Sequence, residues 1–207
     1  MPRRRRIKLG YLLEYLEYLE LLRYNSTIEF MPRKKASSAD NQQERSEITN
    51  WICGFVDGEG CFSISLIRNQ TTSSGWQVFP EFVVTQGEKS RSALEDIKNF
   101  FGCGRIYLNR RHDNHREALL RYCVRSQKDL CEKIIPFFQQ HPLRTAKKED
   151  FKKFVSILSS MRTGKHKKFL GLQRIAIIIQ SMNRKVPSRF LKSSETTRHN
   201  PNTSDKI

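Results

Sequence analysis

The feature that most constrains the fold is a change of hydrophobic period at residues 58–60. Before it, apolar residues recur at helical spacing and form one stripe: Ile48, Trp51, Ile52, Phe55 and Val56. After it, every second residue is apolar, which gives one face of a strand: Phe62, Ile64 and Leu66. The sequence therefore predicts a helix from Ser46, its N-cap, to about Gly58, followed at once by a strand.

The same order of elements recurs along the chain. A second strand is predicted at about residues 76–85, followed by a helix with a capping box from Ser92 to Glu95 and a stop at Gly102. Two further strands flank the turn RHDNHRE. Three more helices follow, the first capped by Ser126, at about residues 126–142, 151–164 and 167–182. This order indicates the α+β class with an antiparallel sheet.

Polar segments flank the patterned region. Residues 31–45 show no periodicity and indicate a linker, so residues 1–45 are assigned to an N-terminal extension and linker, for which disorder is one interpretation. Residues 46–191 form the predicted domain. The polar tail, residues 192–207, is predicted to be disordered because it has too few apolar residues to bury.

The balance of charge favours a polyanionic partner. The chain holds 38 Lys and Arg against 21 Asp and Glu, a formal net charge of +17. The first 45 residues hold ten bases and six acids, a net +4, so the other +13 belongs to residues 46–207. Because the predicted domain is itself basic, nucleic acid is the leading partner. Five cysteines without a C-x-x-C pair argue against a zinc ribbon or a disulfide framework.

A second face of the first helix carries small residues. It lies one step round from the apolar stripe and contains Asn50, Cys53, Gly54, Asp57 and Gly58. Each helical glycine costs up to ~1 kcal/mol relative to alanine, but glycines four apart let another helix approach closely. One interpretation is that the glycines only end the helix. The other, which we expect, is a pair of these helices formed by two copies of the chain across a two-fold axis.

Two carboxylates stand where this helix ends. A helix C-terminus carries partial negative charge, so Asp57 and Glu59 are unfavourable there without a cation. With the terminal carbonyls they form an oxygen-rich pocket that suits Mg²⁺, completed by water and a substrate phosphate. In a dimer two such pockets would lie side by side, an arrangement in which paired metals hydrolyse phosphodiesters.

The segment WICGFVDGEG, residues 51–60, resembles the signature helix of the LAGLIDADG homing endonucleases. EFVVTQ, FFGCGRIY and HPLRTAKKEDF follow in the family's order, so the resemblance spans about residues 46–185. It implies the αββαββα fold, with a saddle-shaped antiparallel sheet and helices on one side. It also implies a homodimeric, intron-encoded enzyme of a chloroplast or mitochondrion that makes a Mg²⁺- or Mn²⁺-dependent double-strand break in a long DNA site. Neither a membrane nor a small-molecule cofactor is expected.

The resemblance also implies roles for individual residues. The family's metal ligand is the last acid of the motif, which is Glu59 here, helped by the Gly58 carbonyl. The earlier acid, Asp57, caps or orients the helix pair. Gln86 matches a polar residue that positions water, and Lys147 matches a lysine near the scissile phosphate. Two neighbouring positions fit the lysine alignment as well: Ala146 and Lys148.

In this fold the sheet lies along the DNA major groove, and strand alternation selects the side chains that face it. On the first strand pair these are Ser63, Ser65, Ile67, Asn69, Gln77, Phe79, Glu81 and Val83. On the second pair the candidates are Tyr107, Asn109 and Arg121. Phosphate contacts are assigned to basic residues, namely Arg68, Lys89, Arg91, Arg110, Arg111 and Lys148. The HDNH run at residues 112–115 lies in a predicted hairpin tip with the wrong spacing for an HNH nuclease.

Two rival functions remain open on the same fold. An RNA maturase would assist the splicing of its host intron, and a repressor would bind DNA without cutting it. Magnesium-dependent cleavage of the intronless target separates both from an endonuclease.

Overall fold

The computed structural model describes residues 39–109, 118–183 and 190–191. The chain divides into two units after Glu44, and the elements below belong to the second unit, apart from the first residues of helix α1. Arg110, Arg111 and the HDNH run lie outside the described residues. No helix among the described residues is long and apolar enough to cross a bilayer.

Helix α1 comprises Ala39–Glu59. It starts well before Ser46, so the prediction of an N-cap at Ser46 is wrong. Residues 39–45 include Ala, Gln, Glu and Arg, and extending a helix that already exists costs little because nucleation is the expensive step. On its apolar stripe Ile52 and Val56 are fully buried, but Trp51 is 37% exposed, so Trp51 does not belong to the core.

Four strands form one antiparallel sheet in the order β1-β2-β4-β3. Their bounds are Gly60–Arg68 for β1, Trp76–Gly87 for β2, Arg105–Asn109 for β3 and Leu119–Val124 for β4. The register pairs Phe62 with Phe82, and Phe82 in turn with Val124, so the apolar residues of three strands share one face. This inner face is the one that the helices cover.

Helix α2, Arg91–Phe101, follows a 3₁₀ turn at Glu88–Ser90. The predicted capping box is wrong, since the 3₁₀ turn leads straight into Arg91 and Ser90 occupies the N-cap position without a side-chain hydrogen bond. The predicted stop is confirmed, because Gly102 takes the left-handed conformation at φ 58° that glycine adopts without steric cost.

Helix α3 consists of three consecutive segments: Gln127–Asp129, a π-helical turn at Leu130–Ile134, and Ile135–Gln140. The Ser126 hydroxyl accepts a hydrogen bond from the Asp129 N–H at 3.2 Å, which confirms the predicted cap. Pro136 lacks an N–H and its ring crowds the preceding turn, and the wider π turn just before it accommodates that.

Helices α4, Lys147–Arg162, and α5, Phe169–Gln180, complete the fold, joined through a 3₁₀ turn at Lys165–Lys167. The core centres on the ring of Phe62, which lies 4.9–5.4 Å from four other rings. One of these rings comes from β2, one from α3 and two from α4: Phe82, Phe138, Phe151 and Phe154. The αββαββα order and the placement of the helices on one side of the sheet are therefore confirmed.

The backbone is closely packed at the junction of α1 and β1. Glu59 ends the helix and Gly60 begins the strand, and a Cβ added to Gly60 would lie 2.5 Å from Cγ1 and 2.8 Å from the carbonyl oxygen of Val56. Only glycine permits so close an approach, and the helix tip is thereby held against the edge of the sheet.

Candidate active site and nucleic-acid interface

The tip of α1 carries an exposed acid and binds a lysine. Glu59 is the last residue of the helix and is exposed. Lys147, the first residue of α4, donates from Nζ to the carbonyl oxygens of Val56 at 2.9 Å and Gly58 at 3.1 Å. A cation on the last carbonyls of a helix is favoured by the helix dipole. The structure therefore places two predicted catalytic residues and the predicted metal-binding carbonyl at one point.

Lys147 is half-buried, and this affects its protonation. Burial lowers the pKa of its ammonium, and the nearby Cys61 and the carboxylates of Asp57, Glu59 and Asp150 only partly offset that effect. Of the three positions that the sequence alignment allows, Lys147 is the one whose side chain reaches the tip. Lys148 is exposed on the next position of α4, and Ala146 carries no donor.

Asp57 is engaged differently from Glu59. Its Oδ2 accepts the Arg144 N–H at 2.7 Å, and its Oδ1 accepts the N–H and the hydroxyl of Thr145 at 3.2 and 2.7 Å. Burial opposes ionisation, but these hydrogen bonds and the charge of Lys147 hold the pKa of Asp57 below its ordinary value. Asp57 thus fastens the residues that lead into Lys147, and both of its oxygens accept hydrogen bonds.

Gln86 lies near the end of β2 that is next to the tip of α1. Gly60, which follows Glu59, pairs with Val84, and Gln86 stands two residues further along β2, opposite Leu120. Its side chain is half-buried. The register therefore places Gln86 beside the end of α1, as expected of a residue that acts on the same reacting group.

Asn183 is a residue of this region that sequence reasoning missed. Its Nδ2 donates to the Phe62 carbonyl at 3.1 Å, its N–H donates to Asp150 at 3.3 Å, and Cys61 donates weakly to its Oδ1 at 3.5 Å. It has φ 47°, a left-handed conformation that Asn tolerates after a helix. An Asn just past the last apolar residue of a helix was the available signal.

The small-residue face of α1 is open in the single chain. A Cβ added to Gly54 or Gly58 would meet no atom of the described residues within 4 Å. The exposed Trp51 stands beside this face, and its ring lies 5.1 Å from that of Phe55. Cys53 is directed elsewhere, since its thiol lies 3.7 Å from the His141 carbonyl. The open face has the shape that close packing of a second helix requires.

The outer face of the sheet carries the predicted base-reading residues. Alternation is as expected, and Ser65, Ile67, Gln77 and Tyr107 are exposed there. Asn69 differs in detail, because it lies in the turn after β1 and its amide donates to Gln77 at 2.8 Å. Most of the remaining candidates on this face are half-buried: Ser63, Phe79, Asn109 and Arg121.

Two predicted base-reading residues on the outer face are buried, and one predicted phosphate contact packs on a core ring. Glu81 and Val83 lie on the outer face but are buried, at 8% and 5% exposed. Glu81 is paired with Arg121 and with Arg125, a residue that the sequence did not single out. Arg68 stands over the ring of Trp76, a core residue, with 4.8 Å from its guanidinium carbon to the ring centroid.

Comparisons with known proteins identify close likenesses. The family model described as LAGLIDADG endonuclease matches residues 52–158. The crystal structure of the homing endonuclease I-TnaI is 38% identical and has a TM-score of 0.64 over 72% of this chain and 96% of that one. The meganuclease I-CpaMI bound to uncleaved DNA is 27% identical, with a TM-score of 0.64 over 72% of this chain and 50% of that one.

Curated relatives carry similar names. DNA endonuclease I-CeuI of Chlamydomonas moewusii is 32% identical over 120 residues, 58% of this chain and 53% of that protein. The probable intron-encoded DNA endonuclease 1 of Mycosarcoma maydis is 31% identical over 100 residues, 48% of this chain and 33% of that protein. The chain spans 33% of the length of the Mycosarcoma maydis protein, and 26% and 40% of the lengths of two further relatives.

Proposed function

The chain belongs to the LAGLIDADG endonuclease family, and from this we propose that it is a site-specific homing endonuclease. Its reaction is the hydrolysis of phosphodiester bonds, which makes a double-strand break in a long DNA site. The observation that carries the proposal is the tip of α1, where Glu59 is exposed and the ammonium of Lys147 binds the carbonyl of the preceding residue, Gly58. Metal-dependent phosphodiester hydrolysis uses both kinds of group: a carboxylate that holds a cation, and a positive charge that stabilises the phosphate.

The donors at the tip fit a hard divalent cation, Mg²⁺ or Mn²⁺. Glu59 offers a carboxylate and Gly58 a carbonyl with two lone pairs, one of which accepts Lys147. No cluster of three or more His, Cys, Asp or Glu side chains that could hold a metal exists within the described residues. The remaining ligands would be water, the DNA phosphate and groups of a second subunit. When bound, the cation would supply Lewis acidity and a water of lowered pKa.

The chain's own residues have separate tasks in this reaction. Lys147 places a positive charge where the scissile phosphate would lie. Asp57 keeps that charge in place by holding Arg144 and Thr145, which precede Lys147 in the chain. Gln86, at the same edge of the sheet, orients the attacking water through its side-chain amide. Pre-organised charge and positioning are the main contributions that a protein makes to phosphoryl chemistry.

The active enzyme is proposed to be a homodimer on double-stranded DNA. The described residues of one chain supply one such acidic tip, whereas a double-strand break needs two. The open face at Gly54 and Gly58 suits the pairing of two α1 helices. The outer face of the sheet would lie in the major groove as an antiparallel ribbon. That several structurally similar proteins were crystallised with their DNA targets supports this docking.

We place the gene in an organellar intron, in a chloroplast or mitochondrion. The support is that relatives from several organisms are named intron-encoded endonucleases. Homing then means cutting the allele that lacks the intron.

Cleavage of the intronless exon junction tests the proposal. Purified full-length protein is incubated with a plasmid that carries the junction, in Mg²⁺, in Mn²⁺ and in EDTA. We expect linear product with either cation and none with EDTA, and no cutting of a plasmid in which the intron interrupts the junction. Binding without cutting would instead indicate a repressor. Splicing of the host intron by a protein that does not cut DNA would indicate a maturase.

A further inference from the structure

A buried carboxylate lies in the middle of the outer face of the sheet. Glu81, on β2, is 8% exposed. Its Oε2 accepts from Nη2 of Arg121 at 3.1 Å, and its Oε1 accepts from Nε of Arg125 at 2.5 Å. A buried carboxylate is costly unless it is paired and hydrogen-bonded, and here two guanidinium groups from β4 and the residue after it meet that need.

Arg125 is held on more than one side. Its guanidinium carbon lies 5.6 Å from the ring centroid of Phe79 and 5.2 Å from that of Tyr107, both within cation–π range. The hydrogen bond to Glu81 raises the pKa of Arg125, so the group stays charged. Its side chain is nevertheless 42% exposed. Glu81 takes Nε, and no other acceptor among the described residues binds the terminal pair, Nη1 and Nη2, which can therefore act as an end-on fork.

The acid is unexpected on a surface meant for a polyanion. A face that only had to attract phosphates would bind any duplex better without Glu81, because the carboxylate cancels one of the two positive charges. Glu81 is buried and each of its oxygens already accepts from an arginine, so it does not present a carboxylate to a base edge, which was its predicted role on this face. What the carboxylate does is restrict where Arg121 and Arg125 point. Fixed direction benefits the recognition of a base edge and not the recognition of a phosphate.

We propose that Glu81 is a positioning residue and that Arg125, which it holds, reads a guanine in each half of the target site. The inference rests on the proposed function, because it takes the outer face of the sheet as the DNA-reading surface. An end-on guanidinium fork matches the O6 and N7 acceptors that guanine presents in the major groove. Holding the fork in advance removes the cost of ordering a long side chain on binding.

Selection from a randomised duplex library, in EDTA to prevent cleavage, tests the proposal on the full-length protein. The variants are Glu81→Gln, Arg125→Ala, the double variant and Arg125→Lys. The control is Glu132→Gln, which removes the same charge from an exposed position on α3. Wild type and control should select the same guanine. Arg125→Ala and Arg125→Lys should each lose that preference by about tenfold or more.

Glu81→Gln should also lose much of this preference, while its affinity for random duplex stays level or rises because one negative charge is gone. Glu81 acts through Arg125, so the double variant should be no less selective than Arg125→Ala alone. Unchanged guanine preference in Glu81→Gln or Arg125→Ala would overturn the inference. So would a new base preference caused by Glu81→Gln in the Arg125→Ala background, since that would make Glu81 a direct reader.

Folding and the proposed function are monitored separately. Thermal melts show whether Glu81→Gln folds. If it does not, Arg125→Lys is the test variant, because the side chain at position 125 is half-exposed and lysine keeps the positive charge. Full guanine preference in Arg125→Lys then overturns the inference. Failure of the wild type to select any sequence would instead overturn the proposed function, and this inference with it.

Discussion

Two acids only two residues apart have opposite environments at the end of α1. Successive helical residues are rotated by about 100°, so Asp57 and Glu59 leave the helix on nearly opposite sides. Asp57 meets the residues before α4 and accepts three hydrogen bonds there, while Glu59 projects into solvent. One acid is therefore structural and the other is available for a cation.

Replacement of the exposed acid, Glu59, tests the metal assignment. Glu59→Gln keeps the shape of the side chain but removes the charge that a divalent cation needs, so cleavage should be abolished. DNA affinity should stay within about tenfold of wild type, because one exposed side chain contributes little to a large interface. Plasmid cleavage in Mg²⁺ and gel-shift binding in EDTA measure the two effects. Glu95→Gln, at an exposed position on α2, is the control. Retained nicking by Glu59→Gln would show that the ligand is misassigned.

Replacement of the hydrogen-bonded acid, Asp57, should affect stability as well as cleavage. Asp57→Ala removes the acceptor of the Arg144 and Thr145 N–H groups, and should lower the free energy of unfolding by about 0.5–1.5 kcal/mol, since water replaces part of the loss. Single-turnover cleavage should slow as Lys147 loses its fixed approach. Asp57→Asn, which keeps one side-chain oxygen, should recover part of both. Denaturant unfolding makes the distinction, because a pure metal ligand would change cleavage and leave stability as it was.

His166 should make the folded protein sensitive to mild acid. Its Nδ1 is buried and has no hydrogen-bond partner in the part of the chain that the structure describes. Burial, and then the charge of Lys167, lowers the pKa of His166 below the ordinary 6.5. Between the folded and unfolded pKa values the unfolded chain binds more protons, so stability falls as pH drops below 6.5 and the loss is complete below the folded pKa.

A neutral replacement should therefore flatten part of the pH dependence. His166→Gln should lose less stability than wild type between pH 7.5 and pH 5, because Gln takes up no proton in either state. Melting temperatures at the two pH values measure this. An identical drop in both proteins would assign the acid sensitivity to other groups.

Helix α1 works as one element with three surfaces. Ile52 and Val56 face the core, Gly54 and Gly58 face open space, and Glu59 ends the helix beside the sheet. The close contact of Gly60 with Val56 means that a shift of the helix would move the acidic tip with it. The element thus couples a pairing surface to the candidate site.

Gly54→Leu tests the pairing surface without disturbing the single chain. A Cβ at this position meets none of the described atoms within 4 Å, and leucine is the better helix former, so the chain should fold at least as stably. The larger side chain should block close helix approach, and sedimentation should show a monomer where the wild type is a dimer. Glu95→Leu adds the same exposed apolar side chain elsewhere and should leave the dimer intact. A normal dimer of Gly54→Leu would refute the interface.

At the scale of the whole molecule, charge dominates the expected association with DNA. The net charge of +17 is carried mainly by residues 46–207. A protein that neutralises six to ten phosphates loses about 10³–10⁵ in affinity between 50 and 200 mM salt. We expect a loss of this order for binding to random duplex, measured by fluorescence anisotropy. A nearly flat dependence would contradict the broad basic interface that the proposed docking requires.

What the sequence by itself determined were the features set by neighbours along the chain. The change of period at residues 58–60, the Ser126 cap and the stop at Gly102 all depend on local backbone geometry, and so they could be read directly. The family resemblance likewise rests on short ordered segments. The alternation of side chains along each strand is also local, and it assigned the outer face of the sheet correctly.

Only the tertiary structure decided what each polar side chain meets. Asp57 binds Thr145, 88 residues away, and Glu81 binds Arg125, 44 residues away, and neither partner is implied by spacing. Trp51 fits the apolar stripe yet is 37% exposed, although Ile48 and Ile52 on the same stripe pack in or against the core. Periodicity gives the direction of a side chain, but burial and charge pairing depend on which distant element lies opposite, and that is known only once the chain has folded.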